Sequence, residues 1–299
     1  MTKYHTPVLF QESIEGLSLQ ENGCYVDVTF GGGGHSHGIL KAEESARLIA
    51  FDQDPDSHEN EIDSDRFTLV KQNFRYLKNN LRMLGANPID GLLADLGVSS
   101  YQFDIPDRGF STRFDGPLDM RMNPQQTGSA ADILNSKTQE ELTTIFRLYG
   151  EINNAWKLAG AIVMERELVK FKTTDQLKAI AKQFTPEKKI NQYLAQVFQA
   201  LRIEVNNELE ALKELLIQST DVLKPNGRLV FISYHSLEDR LVKNFFRTGN
   251  FEGTPEKDFY GNLIRPLEPV NRKVITPSEE ELKQNPRSRS AKLRIAEKR

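Results

Sequence analysis

Val26-Asp27-Val28-Thr29-Phe30-Gly31-Gly32-Gly33-Gly34-His35-Ser36 is the stretch that decides the fold of this chain. A β-branched, strand-like run enters four consecutive glycines and then opens a helix-compatible segment. Glycine has no Cβ to hold a ligand away from the backbone. The open amides of a following helix N-terminus can then face that ligand. The segments downstream repeat the strand-then-helix order. Short apolar runs at 25–30, 48–51, 67–70 and 89–94 alternate with helical stretches such as 74–84. This alternation predicts an α/β fold of parallel strands covered by helices on both faces. Right-handed crossovers then bring the strand ends to one ligand-binding edge.

After about residue 102 the pattern changes. A Gly-, Pro- and Asp-rich loop (104–124) leads into four segments of helical period with no strand between them. Leu142, Ile145, Phe146 and Tyr149 form one apolar stripe, preceded by Thr138 and Glu141 as a capping box. Ala155, Leu158, Ala159, Ile162 and Val163 form the next. Leu177, Ile180, Ala181 and Phe184 follow with Thr173 and Gln176 as their box, and Leu194, Val197, Phe198 and Leu201 end the series. The α/β signal then returns as a helix at 208–223, stopped by Pro225-Asn226-Gly227, and a strand at 228–233. These signals predict a doubly wound domain at 1–105 and 204–299, with an all-helical domain inserted at 106–203.

Composition narrows the class. The 299 residues are 38% hydrophobic and 27% charged with a net charge of −3, as in a soluble globular protein rather than a uniformly basic nucleic-acid binder. No apolar run reaches the roughly 18–20 residues of a membrane span, and no signal-peptide apolar region follows Met1, so a cytoplasmic location is expected. Cys24 stands alone, which excludes a disulfide framework and a cysteine-based zinc site. His35 and His37 are two apart and do not face each other on a helix, so no metal site is expected. Charge is uneven, however. Seven Lys/Arg against three acids lie between Arg166 and Lys189, and seven against one between Leu282 and Arg299. Both runs read either as phosphate-neutralising patches or as solvated helix faces and a frayed tail.

The ligand at the glycine turn follows by elimination. A dinucleotide fingerprint needs glycines at i, i+2 and i+5, but the third position falls on Ser36 or His37 in the two available registers. There is also no Gly-Lys-Ser/Thr for a triphosphate. A nicotinamide dehydrogenase is therefore disfavoured. Asp52 ends the second strand about twenty residues after the turn, where a carboxylate accepts both hydroxyls of a ribose; the plainer reading is a turn acid before Pro55. A ribose acid without a pyrophosphate fingerprint points to an adenosine ligand lacking phosphates, of which S-adenosylmethionine is the common one. Asp27 would then lie near the amino-acid end of that cofactor, and Phe74 could pack on adenine. Asp95, at the end of the fourth strand, has the chemistry either to accept an N–H of a substrate amine or to hold the cofactor's methionine. A sulfonium is already a good leaving group, so alignment of the reacting atoms supplies much of the rate.

Taken with later blocks, these residues resemble the bacterial 16S rRNA (cytosine-N4)-methyltransferase family, known as MraW or RsmH. The similarity runs through His5-Thr6-Pro7-Val8-Leu9, Thr29-Phe30-Gly31, Gly33-Gly34-His35-Ser36, Asp52-Gln53-Asp54-Pro55 and Asp95-Leu96-Gly97-Val98-Ser99-Ser100 with Gln102. It continues in Arg108-Gly109-Phe110-Ser111, the distinctive Asp115-Gly116-Pro117-Leu118-Asp119-Met120-Arg121-Met122, and Phe198-Gln199-Ala200-Leu201-Arg202-Ile203 with Val205-Asn206. His235-Ser236-Leu237-Glu238-Asp239-Arg240 and Asn285-Pro286-Arg287 complete it. The resemblance implies a Rossmann-like S-adenosylmethionine-dependent methyltransferase with an inserted helical domain. It implies cofactor contacts at Gly33, Gly34, His35, Asp52, Phe74, Asp95 and Gln102. The implied substrate is a cytosine in the decoding region of 16S rRNA on the small ribosomal subunit, unstacked so that its N4 amine can reach the sulfonium.

Two departures stand out. Gly31–Gly34 is all glycine where many members carry an Arg, and Ile152-Asn153-Asn154-Ala155-Trp156 stands where many members are basic. Asp95 and His235 are the catalytic candidates. Ser99, Ser100, Arg108, Arg121 and Arg287 are the candidate substrate contacts. Plainer roles remain beside each: His35 as a helix cap, His235 as a structural hydrogen-bonding group, Arg108 and Arg121 as partners of the loop's acids, Trp156 as core or interdomain packing. The alternative function is a ribosome-assembly factor that binds RNA and cofactor without turnover. The sequence leaves a homodimer open.

Overall fold

The computed structural model describes residues 7–271 and 273–299; His5 and Thr6, where the family resemblance begins, lie outside them. Helices α1 (Phe10–Leu17), α2 (Gly34–Ala42), α3 (Leu77–Met83) and α4 (Ser100–Asp104) come first in the chain. Then follow α5 (Ala130–Ser136), α6 (Gln139–Gly150), α7 (Ala155–Leu168), α8 (Thr174–Ala181) and α9 (Ile190–Asn206), and after them α10 (Glu208–Val222), α11 (Ser236–Thr248) and α12 (Glu279–Gln284). The strands are β1 (Cys24–Asp27), β2 (Arg47–Phe51), β3 (Phe67–Val70), β4 (Ile89–Asp95), β5 (Leu223–Ser233), β6 (Leu267–Pro269) and β7 (Lys292–Lys298). The chain divides into two compact units, Met1–Gly97 with Leu209–Arg299, and Val98–Glu208. No helix among the described residues is long and apolar enough to cross a membrane.

The first unit is built on one seven-stranded sheet in the order β3-β2-β1-β4-β5-β7-β6. β1 pairs in parallel with both β2 and β4, β2 with β3, and β4 with β5, as the alternation of strand and helix signals predicts. Successive side chains of a strand point to opposite faces, and both faces of this sheet are buried. On β5, Leu229 and Phe231 join one core with Val26, Ile49 and Leu92. Val230 and Ile232 join the other with Tyr25, Leu48 and Leu93. Burial on both faces explains why these strands are unbroken apolar runs. β1 is shorter than expected, ending at Asp27, although Val28 and Phe30 still donate to the carbonyls of Leu93 and Phe51. The Pro225-Asn226-Gly227 stop lies within β5 as an irregularity where the register against β4 shifts, with Asn226 at φ +65°.

The C-terminal segment is not a frayed tail, and only part of its basic run is exposed, at Lys283, Arg287 and Arg289. β7 lies inside the sheet, antiparallel to β5 on one side and β6 on the other. Its Leu293, Ile295 and Ala296 are buried, while Lys292 and Arg294 pair with Asp239 on α11 at 3.4 and 2.7 Å. Lys298 donates to the carbonyls of Thr220 and Leu223. Deleting residues 282–299 therefore removes a sheet strand, and cannot be read as a test of RNA contact.

The second unit is helical, and its core is drawn from α5–α9 together with Phe110, Leu118 and Met120 from the preceding loop. Capping boxes at Thr138/Glu141 and Thr173/Gln176 open α6 and α8 where the sequence places them; α5, with a box at Ser129/Asp132, is an addition. Trp156 departs from its expected packing role. It is 50% exposed, because the buried face of α7 is Ala155, Leu158, Ala159 and Ile162.

The Asp115–Met122 block is the latch of this unit. Asp115 Oδ1 accepts the Asp175 amide at 2.9 Å at the start of α8, and Asn206 brackets Met120 and Met122 through their backbone. Two glycines let the strands of this loop touch. A Cβ on Gly116 would fall 2.2 Å from the Pro106 carbonyl oxygen, and one on Gly109, at φ +73°, 2.4 Å from that of Pro117. Both obstacles are backbone atoms that cannot rotate away. Gly116→Ala should therefore destabilise the unit by about 3 kcal/mol or more, read as a lowered calorimetric transition; an unchanged melt would show that the loop can shift.

Candidate active site

Ligands of doubly wound sheets bind outside the carboxyl ends of the strands, where strand order reverses. Here that point lies between β1 and β4. Gly31 and Gly33 sit at φ +51° and +74°, in the left-handed region open to glycine. Gly33 is the N-cap of α2, and no side chain caps that helix. A Cβ on Gly32 would meet nothing within 4 Å, whereas one on Gly34 would lie 2.4 Å from Pro7 Cγ. The turn is open on one side and sealed on the other. Asp52 helps to shape it: Oδ2 accepts the Gly31 amide at 2.8 Å and Oδ1 the Asp54 amide at 2.9 Å. Asn60 Nδ2 holds the Gly31 carbonyl at 3.1 Å.

A second network joins the ends of β1, β4 and β5. Asp27 is buried, its carboxylate accepting the Ser36 hydroxyl at 2.7 Å and the Thr29 amide at 3.0 Å. Thr29 Oγ1 in turn accepts the Asp95 amide at 2.7 Å. The Tyr234 hydroxyl donates to Asp95 Oδ1 at 2.7 Å, and His35 Nδ1 lies 3.9 Å from Asp95 Oδ2. His35 Nε2 is 3.1 Å from the Val8 carbonyl oxygen. A carbonyl only accepts, so Nε2 carries the proton and Nδ1 presents a lone pair.

Burial dominates the electrostatics of this edge. It raises Asp27 and Asp52 above the usual carboxylate range, and pushes Asp95 up to about 6 against the lowering effects of His35 and the Tyr234 hydroxyl. Burial also lowers His35, keeping its ring neutral, and raises the Tyr234 phenol well above its ordinary value. Several desolvated carboxylates at one sheet edge favour a cationic ligand and repel phosphates. This agrees with the missing pyrophosphate fingerprint.

The remaining candidates fall as follows. Phe74 opens a short 3₁₀ turn after β3 and packs, partly buried, against the sheet core. His235 is the N-cap of α11, accepting the Glu238 amide, with Nε2 3.1 Å from Glu238 Oε1. Ser99, Ser100 and Gln102 belong to the second unit, where Ser99 and Gln102 form the capping box of α4. Arg108 donates to the carbonyls of Arg121 and Met122. Arg121 makes a two-pronged pair with Asp119 and holds the Gln126 carbonyl. Arg287 is exposed, in a 3₁₀ turn before β7.

Sequence reasoning passed over Tyr234, Asn60 and the bracing roles of Thr29 and Ser36. Tyr234 carried a signal, since it follows β5 as Asp95 ends β4, on the same sheet edge. Asn60 carried none, because only the folded loop after β2 brings it back to the glycine turn.

Sheet order, glycine turn and acid-lined edge define a doubly wound α/β protein whose switch point lies at an acid-lined glycine turn. The sequence model of the MraW methylase family matches residues 2–299, and the chain belongs to that family. It is therefore a methyltransferase. It is similar to proteins named ribosomal RNA small subunit methyltransferase H from three bacteria. Identity is 58% with the Parabacteroides distasonis protein, covering 99% of this chain and 97% of the relative. It is 55% with that of Bacteroides thetaiotaomicron (99% and 97%) and 53% with that of Flavobacterium johnsoniae (99% and 98%).

Proposed function

We propose that this chain transfers the methyl group of S-adenosylmethionine to the N4 amine of a cytosine in the decoding region of 16S rRNA, acting in the cytoplasm on the small ribosomal subunit. The observation that carries this reading is the carboxylate-lined switch point, where Asp27 and Asp95 are joined through Thr29 beside His35 and Tyr234, together with family membership along the whole chain. The donor suits this edge as a cation without phosphates, and when bound it supplies an activated methyl group. The protein's part is binding, orientation and proton handling. Gly33, Gly34 and the open amides of α2 form the floor for the donor. Asp52, with both oxygens fixed by backbone amides, keeps lone pairs for ribose hydroxyls, and Phe74 packs on adenine. Gln102 is a cofactor contact on the strength of family resemblance alone.

Asp95 is the acceptor for the cytosine amine. The N4 lone pair is conjugated with its ring, so a hydrogen bond from N–H to a carboxylate localises electrons on nitrogen as it attacks. Once nitrogen has gained the methyl group its proton is acidic, and a carboxylate near 6 is matched to accept it. Radiolabelled methyl transfer to small subunits lacking this modification tests the function; no incorporation at N4 would sink it and favour the assembly-factor reading.

RNA is held by charge on the helical unit in this reading. Of the seven basic residues between Arg166 and Lys189, Arg166 and Lys178 are tied to backbone carbonyls, while Lys170, Lys172, Lys182, Lys188 and Lys189 are exposed. Replacing Lys182, Lys188 and Lys189 by alanine should reduce the slope of log affinity against log salt by about two to three, near 0.9 for each lost phosphate contact or somewhat less on single strands. An unchanged slope would mark this as an ordinary solvated face.

A further inference from the structure

We propose that Tyr234 is a positioning residue for methyl transfer: its hydroxyl pins Oδ1 of Asp95, so that Oδ2 is the oxygen turned to the substrate amine. The inference rests on Asp95 being the amine's acceptor. It is built from valences. An aspartate carboxyl turns broadly about its terminal torsion, and either oxygen can then face a ligand. In this fold the choice is made by the 2.7 Å bond from the Tyr234 hydroxyl to Oδ1. The tyrosine is itself held, because its amide donates to Glu238 Oε2 at 3.0 Å and Glu238 is buried on α11.

His35 acts on the other oxygen. Its Nε2 proton is committed to the Val8 carbonyl, so the Nδ1 lone pair lies beside Oδ2 at 3.9 Å. Two acceptors side by side leave no bond to make with each other while Asp95 is ionised. They fit a donor that brings N–H to both, and the exocyclic amine of cytosine carries two. The methionine ammonium of the cofactor is the other source of that chemistry. Tyr234 meets the other oxygen of the carboxyl, and its proton is already committed to Oδ1. It therefore acts through Asp95 rather than on the substrate.

The groups facing Asp95 are His35 from α2, Asp27 from β1, Tyr234 beyond β5 and Glu238 from α11. Both acids favour the protonated form of Asp95, and the Tyr234 hydroxyl favours the ionised one. Removing that hydroxyl should move the acid limb of activity to higher pH. Tyr234→Phe should raise the midpoint of the limb by about half to one pH unit. Near pH 5 it should lower kcat about three- to tenfold, with recovery toward wild type above pH 8. At that pH the KM for S-adenosylmethionine should change less than about twofold if the amine is the ligand of Oδ2, and should rise about three- to tenfold if the cofactor's ammonium is; the second result overturns the substrate assignment. Site-specific 3,5-difluorotyrosine at 234, a stronger donor, should move the limb the opposite way, which a merely structural ring would not do. A limb that coincides with wild type in both variants overturns the proposal. If Asp95→Asn also retains wild-type turnover, the reading of Asp95 fails; if Asp95→Asn is inactive, only the role of Tyr234 does.

Discussion

Asp95→Asn should abolish methyl transfer, by about 10²–10⁴-fold in kcat, while leaving the protein folded and able to bind S-adenosylhomocysteine. Asparagine keeps one acceptor oxygen at nearly the same place but cannot take up the proton of the methylated amine. The loss should therefore fall on kcat rather than on KM, the pattern of an interaction made in the transition state. Wild-type activity should itself decline below a midpoint of about 6, tenfold for each further pH unit, because Asp95 works as the carboxylate.

Stability should move the other way. Folding favours the neutral form of Asp95, so its contribution is fully present below the unfolded pKa of 3.8 and lost as pH rises through about 6. At pH 8 the ionised, desolvated group costs the native state something on the order of 2–3 kcal/mol. The asparagine variant should melt no lower than wild type at that pH. This is the trade expected where a site is strained for function. Wild-type turnover in the variant, or unfolding in place of inactivity, would refute the assignment.

Asp52→Ala should weaken cofactor binding by about 100-fold, the loss of two hydrogen bonds to a charged acceptor. A further effect separates this residue from a simple ribose contact. Asp52 Oδ2 also receives the Gly31 amide, and Oδ1 the Asp54 amide. Truncation leaves both donors unpaired and loosens the glycine turn, so the melting temperature should fall as well. Asp52→Asn makes the sharper test, because its NH₂ would face one of those two amide donors. It should bind cofactor nearly as poorly as the alanine variant despite its matching size. Calorimetric titration with S-adenosylhomocysteine reads both variants, and near-wild-type affinity in the asparagine variant would show that the turn does not depend on the carboxylate.

Elements whose residues meet only water or apolar core were legible from the sequence. β1 to β4 are apolar runs because both faces of the sheet are covered, and α6, α8 and α9 show their period because each has one wet and one dry side. β7 hid itself for the complementary reason. Its alternating Lys292, Leu293, Arg294 and Ile295 are regular for a strand, but the basic residues look like a solvated tail until Asp239 is folded against them. Trp156 misled for a similar reason, since α7 is apolar on its exposed side as well and period alone does not say which face is covered.

The site divides in the same way. Local chemistry was enough to single out the glycine turn, Asp52 and Asp95 as candidates: the backbone takes positive φ at Gly31 and Gly33, and the two carboxylates stand at strand ends on one sheet edge. Only the tertiary structure decided what those groups do to one another. It set Asp52 under the Gly31 amide, joined Asp27 to Asp95 through Thr29, and brought Tyr234 from more than a hundred residues away onto Asp95 Oδ1. Burial and hydrogen-bond partners set a carboxyl's pKa and orientation, and both are properties of the packed sheet edge, which no stretch of chain carries alone.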